Sequence, residues 1–268
     1  MRIPLAAGLL IILATSCRTQ LEPPSELITV QPSRIVDLGA VMNEDTAYRF
    51  WGEQQLRASG LDRLNVFEDR EVAEPVYVVN SWYTLANHGG PHVDAPNHVG
   101  TPDGKGIDDF AVESFVGPAK IINVSHLPQG DLVPVSLVES GGVQPGDIVL
   151  LYTGYVTPPA DEFPVYTTLS EEAARYLASL PVKAIGTDAL STDQRENRGG
   201  GGATDYRSLA PIHHAFLTRD ILIYEQLANL DELLGSEQLQ FVGVPLNVED
   251  GNGVPVRPVV FVFDKNDV

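Results

Sequence analysis

The chain has 268 residues, of which 43% are hydrophobic and 20% charged, and a formal net charge of -19 at pH 7. Composition near the globular average excludes a disordered or fibrous protein and supplies enough apolar residues for one full core. The acidic balance, with no cluster of Lys or Arg, excludes a nucleic-acid binder, because phosphate recognition needs a basic surface that releases counterions.

At the N-terminus, Arg2 supplies a positive charge, residues 3–14 are almost unbroken apolar, and the small residues Thr15 and Ser16 precede Cys17. The apolar run is too short to cross a bilayer and has the form of an export signal. Cys17 is the only cysteine, so no intrachain disulfide can form. The following segment, up to residue 33, is polar and holds three prolines, as a tether would. These features resemble a bacterial lipoprotein signal. They imply a signal peptide over 1–16, a tether over 17–33, and export to the cell envelope with membrane attachment only through a lipid on Cys17, or plain secretion.

Beyond the tether, β-branched apolar runs predict strands over 34–38, 75–79, 119–124, 147–152, 183–186, 241–244 and 258–263. Residues 170–180 predict a helix, with Ser170 as N-cap, Glu171 and Glu172 at the positive end of its dipole, and Pro181 as its stop. Residues 211–217 and 226–234 predict two further helices. Before them, residues 193–205 include four consecutive glycines, Gly199 to Gly202, which no regular element holds cheaply. That stretch is a loop, either a surface excursion or a flap over a site. No linker divides 34–268, so the expectation is a single mixed α/β domain, richer in strand than in helix.

The chemistry is concentrated near residue 90. Of six histidines in the chain, His88, His92 and His98 fall within eleven residues, with Asp94 among them, in the pattern HxxxHxDxxxH. Gly89, Gly90 and Pro91 rule out a helical HxxxH pair, since that triplet costs several kcal/mol in a helix interior. The segment is instead a tight loop feeding a short extended stretch. Two-residue alternation there puts His92 and Asp94 on one face, Pro96 ends the stretch, and Gly89-Gly90 lets His88 fold back to the same point. Two imidazoles and a carboxylate suit zinc or manganese. An ion with three protein ligands keeps a position for water and lowers its pKa. His98, just beyond Pro96, suits either proton transfer as a general acid/base or service as a fourth ligand.

These residues resemble the signature HxGTHxDxPxH of the bacterial kynurenine formamidase and cyclase-like metal hydrolases, a family that includes isatin hydrolase. The resemblance extends to Val36-Asp37-Leu38, to residues 145–154, to Gly186, Asp188, Ser191 and Asp193 in a GxDxxSxD stretch, and to residues 244–247 and 253–257. It implies a cyclase-like fold of the swivelling β/β/α type and a centre of one or two divalent ions, zinc or manganese. His88, His92 and Asp94 would bind the first ion and Asp94 would bridge to a second, completed by His213 and Glu225. His98 would be the acid/base and Trp51 would line the substrate pocket. The implied activity is arylformamidase-like hydrolysis of a small-molecule aryl formamide, or of a ring amide such as isatin, by a homodimer. A lactone-opening hydrolase or cyclase on the same centre is a second reading, and a non-catalytic periplasmic metal- or ligand-binding protein a third. The chain departs from the signature at Pro91, where the family has threonine, and at Val99, where it has phenylalanine.

Overall fold

The computed structural model describes residues 31–42, 65–73, 76–84, 86–99, 103–158, 164–194 and 210–263, with backbone only over 65–73 and 76–84. The expectations for Cys17, the signal and tether, Trp51 and the glycine loop 199–202 lie outside the described residues.

Among the described residues the largest feature is a nine-stranded mixed sheet. Its strands are β1 (Arg34–Asp37), β4 (His92–Asp94), β5 (Val116–Asn123), β7 (Ile148–Tyr152), β9 (Ala184–Thr187), β10 (Leu222–Glu225), β11 (Gln238–Val242), β12 (Gly253–Pro255) and β13 (Val259–Phe263). Their order is β1-β13-β11-β5-β7-β9-β10-β4-β12. The four central strands, β5, β7, β9 and β10, run parallel. The flanking pairs are antiparallel, including β10 with β4 and β4 with β12. A separate antiparallel hairpin joins β2 (Asn65–Ala73) to β3 (Val76–Thr84), and β6 (Leu132–Val133) pairs in parallel with β8 (Thr168–Leu169).

Parallel strands at the centre of a sheet are covered on both faces and so read as continuous apolar runs. β7, Ile-Val-Leu-Leu-Tyr, is buried along its first four residues. Its side chains alternate between two cores. Leu150 joins Val93, Leu222, Tyr224 and Phe241 on one face, while Val149 and Leu151 join Ile185, Leu177, Phe216 and Ile223 on the other. Each large aliphatic side chain buried this way stabilises the fold by about 1.5–3 kcal/mol before entropy is counted.

The second face is covered by helices. Besides the single-turn α1 (Pro96–Val99) and the short α2 (Val135–Ser140), these are α3 (Glu171–Ser179) and α4 (Pro211–Leu217). α3 buries Ala173, Ala174, Leu177 and Ala178 and starts where the sequence places its cap, with the Ser170 hydroxyl accepting from Ala173 N. Replacing Ser170 by Ala removes that acceptor. Urea unfolding of the variant is expected to show a loss of about 1 kcal/mol.

The predicted strands are present with ends moved by up to three residues, apart from 75–79, which is the start of the longer β3. The predicted helix over 226–234 is corrected: only a 3-10 turn, Leu230–Leu233, forms there. Gln226 and Asn229 both have positive φ, 62° and 55°, which breaks a right-handed helix. Leu227, Leu230 and Leu233 have helical spacing yet are buried from an irregular turn, so their apolar periodicity reflects the core they fill.

Candidate metal centre

The site grows from β4 and its two neighbours. The chain enters through a turn closed by Gly89 N donating to Ala86 O, and Gly90 takes a φ of 71° that a side chain resists. It leaves at Pro96, the first residue of α1, whose missing N–H costs nothing at that position. Between them Val93 points into one core, so His92 and Asp94 point to the opposite face, under the helices. In register, Glu225 of β10 lies opposite His92, and Gly253 of β12 lies opposite Asp94. Cross-strand neighbours share a face, so Glu225 joins the two β4 side chains.

α4 adds His213 from above. Its first turn has no capping side chain at Ala210; instead the remote Asp193 carboxylate accepts from Ile212 N at 2.9 Å and His213 N at 3.0 Å. A buried carboxylate thus meets the positive end of the helix, and the same group accepts from His213 Nδ1 at 2.6 Å. His98 comes from α1, and His88 folds back over the glycines.

Asp94 is the hub. Its Oδ1 lies 2.7 Å from His88 Nδ1 and 3.2 Å from His92 Nε2, and its Oδ2 lies 3.4 Å from His213 Nε2. His213 Nε2 is also 3.2 Å from Glu225 Oε1, and His92 Nε2 is 3.8 Å from Glu225 Oε2. Three donors fix Glu225 Oε1: Ser191 Oγ at 3.0 Å, Thr192 N at 2.6 Å and Thr192 Oγ1 at 3.2 Å. His98 stacks on His88 with ring centroids 4.0 Å apart and meets His213 edge-on at 5.7 Å.

Asp94 is fully buried, and His92, His213 and Glu225 nearly so. Burial alone would raise both carboxyls, yet the histidines around them outweigh it and hold Asp94 well below the ordinary carboxylate range and Glu225 at about 2. Burial likewise opposes charge on His92 and His213, and the facing carboxylates overcome it and raise both. Burial pushes His98 down to about 4, opposed by Asp94 and assisted by His88 and His213. Asp94 and Glu225 thus face His92 and His213, and each side favours the charged form of the other. A cation displaces protons from the nitrogens it takes as ligands.

The residues fit a divalent ion. His92 Nε2 and Asp94 Oδ2 are buried without a hydrogen-bond partner, which protein interiors rarely tolerate unless something else binds them. Two donor groups share Asp94: His88, Asp94 and His98, and His92, Asp94 and Glu225, the donor atoms of each lying within 4.8 Å of one another. The remaining nitrogens are occupied, since His92 Nδ1 faces Gly90 O at 2.8 Å and His213 Nδ1 faces Asp193. Both rings therefore turn Nε2 to the centre. Such partners fix tautomer and orientation in metal sites. Asp193→Asn is accordingly expected to weaken metal binding about 10- to 100-fold, read by competition with a chelating indicator.

The structure brings His88, His92, Asp94, His98, His213 and Glu225 into one place. Its donor groupings cut across the partition implied by the family resemblance, because His98 stands with His88 and Asp94 while His92 stands with Glu225. His214, the neighbouring histidine on α4, is not part of either group. Residue-by-residue reading passed over Asn252, which faces His88, and Ser191, Thr192 and Asp193, which hold Glu225 and His213. Ser191 and Asp193 stand in the GxDxxSxD stretch of the resemblance, which is the signal that marks them in the sequence.

Known proteins resemble this chain in sequence and in fold. Residues 36–194 match the family model Cyclase, described as "Putative cyclase". Kynurenine formamidase of Salinibacter ruber is 33% identical over 178 residues, covering 66% of this chain and 76% of that protein. Kynurenine formamidase of Bacillus cereus is 33% identical over 178 residues, covering 66% and 77%. Among solved structures, an isatin hydrolase bound to the product analogue thioisatinate superposes with a TM-score of 0.68 at 23% identity, covering 86% of this chain and 93% of its own, which is a likeness of fold.

Proposed function

The chain belongs to the cyclase family, and we propose that it is a metal-dependent amidohydrolase acting on the carbon–nitrogen bond of an aryl formamide or a cyclic aryl amide. The observation that carries this reading is the buried Asp94, shared by two groups of donors and left with an unpartnered oxygen. His88, His92, Asp94, His213 and Glu225 would hold one or two ions, zinc or manganese. When bound, such an ion supplies Lewis acidity, making water more acidic and polarising an amide carbonyl.

The protein's own groups do the rest. Gly90 O and Asp193 hold two imidazoles in a single tautomer, and Ser191 and Thr192 hold one oxygen of Glu225 so that the other faces His92. His98 is uncharged at neutral pH because burial depresses it, so it can accept a proton from water and pass it to the leaving nitrogen. The names of the curated relatives support an aryl formamide. The isatin hydrolase fold supports a ring amide opened by the same attack. Export through the signal at 1–16 and a lipid on Cys17 belong to the same proposal and rest on the N-terminal sequence, and a homodimer rests on the family resemblance; no helix among the described residues is long and apolar enough to cross a membrane.

Assay of metal-replete protein on aryl formamides and isatin, beside matched esters and lactones, tests the reading. The expected result is turnover of at least one amide that is lost on chelation and restored by zinc or manganese. Absence of turnover across the whole panel would overturn it, and turnover confined to lactones would move the protein to a ring-opening esterase on the same centre.

A further inference from the structure

His88 is the only one of the clustered histidines that reaches the centre from an irregular loop, so its ring needs a holder of its own. β12 and the residue before it supply one. Asn252 Oδ1 lies 3.2 Å from His88 Nε2. The side-chain amide of Asn87 donates to that same oxygen, which turns the oxygen end of the Asn252 amide toward the ring. Asn252 is itself tied to the strand that bears Asp94, because its backbone carbonyl accepts from Ala95 N at 3.0 Å. Next in the chain, Gly253 pairs with Asp94 in register. A Cβ built on Gly253 would stand 2.2 Å from His88 Cε1, 2.6 Å from Nδ1 and 2.7 Å from Nε2, so the ring occupies the space a side chain would need.

We propose that Asn252 and Gly253 form a seat for His88, with Asn252 as a positioning residue that selects which nitrogen the ring offers to the centre. An amide oxygen only accepts, so His88 Nε2 donates to Asn252, and Nδ1, which hydrogen-bonds Asp94 Oδ1 at 2.7 Å, is the nitrogen that would turn to an ion taking its proton's place beside that carboxylate. His88 then binds an ion through Nδ1, whereas His92 and His213, whose Nδ1 atoms are held by Gly90 O and Asp193, bind through Nε2. Gly253 makes this geometry sterically possible, and Asn252 holds Nε2 away from the centre. The proposal rests on the metal-centre reading given above.

The test uses the full chain, stripped of metal and titrated with zinc, manganese or cobalt against a chelating indicator. Asn252→Leu keeps the volume and removes the acceptor; its affinity is expected to fall about 10- to 100-fold, in the range found for partners of metal-binding histidines. Asn252→Asp restores an acceptor and is expected to stay within about threefold of wild type. Gly253→Ala is expected to lose at least as much as Asn252→Leu, and the cobalt absorption spectrum of both should change in position or intensity. If Gly253→Ala does not fold, the two Asn252 variants still decide. Wild-type protein that binds no ion defeats the metal-centre reading and this proposal with it. Wild-type binding with equal affinity and an unchanged cobalt spectrum in Asn252→Leu, whatever its melting temperature, overturns the seat alone.

Discussion

Replacing Asp94 by Ala is expected to bring bound metal to background and to lower kcat/KM by on the order of a thousandfold or more. Its two oxygens face three candidate ligands, His88 and His92 on one side and His213 on the other. Removing it breaks both donor groups at once, and it also takes away one of the two buried anions that make the pocket attractive to a cation. Glu225 then remains against both rings and Asp193 against His213, while His92 loses its strongest carboxylate partner. Asp94→Asn separates charge from packing, because it keeps the volume in a fully buried position and removes only the negative charge. Both variants are expected to keep wild-type circular dichroism. A ligand that binds only the folded state raises its melting temperature by mass action. Wild type should therefore melt higher as zinc or manganese is added, and the two variants should not respond. Retention of wild-type metal stoichiometry in either variant would remove Asp94 from the centre.

The local half of this arrangement was legible in the sequence and the remote half was not. Gly89, Gly90 and Pro91 forbid a helix, and the alternation of His92 with Asp94 puts both on one face; these are short-range steric facts that any context obeys. Glu225 is different. Nothing within a few residues marks it, and its place opposite His92, 133 positions earlier, arises from the register of β10 with β4. The family resemblance supplied His213 and Glu225, and without it they are ordinary polar residues. Asn252 carried no signal at all, because a polar residue before a short edge strand reads as a turn until the fold places it against His88. The helix expected over 226–234 failed for a related reason. Its leucine spacing is real, but Gln226 takes a left-handed conformation immediately after Glu225, so that its N–H reaches Ala189 O and the chain turns back toward the segment that holds Ser191 and Thr192. A residue forced into that region beside a functional carboxylate is local cost accepted for the position of the side chain before it.

His98→Ala is expected to lower kcat by about 10²–10⁴ while the protein keeps its metal, which is the range for losing a positioned proton carrier. The structure leaves this residue with two chemical roles to choose between. It stands in one donor group with His88 and Asp94, as a ligand would, and it stacks against the His88 ring at 4.0 Å with its edge toward His213. Its burial lowers its pKa to about 4, whereas His92 and His213 rise because the carboxylates they face outweigh their burial. A neutral imidazole that does not serve as a counter-charge for Asp94 or Glu225 is suited to take a proton during the reaction. The two roles separate in measurement. A ligand's loss lowers metal content and affects every substrate alike, because the ion is needed for each. A proton carrier's loss leaves metal content unchanged and falls hardest on substrates whose leaving group must be protonated before it departs. Amide nitrogen is such a group and an activated phenolate is not. For His98→Ala the deficit should therefore be largest on aryl formamides and ring amides and at least tenfold smaller on the corresponding nitrophenyl esters, a narrowing that general-acid catalysis requires. An equal deficit on amides and activated esters, together with a drop in bound metal, would assign His98 to the ion.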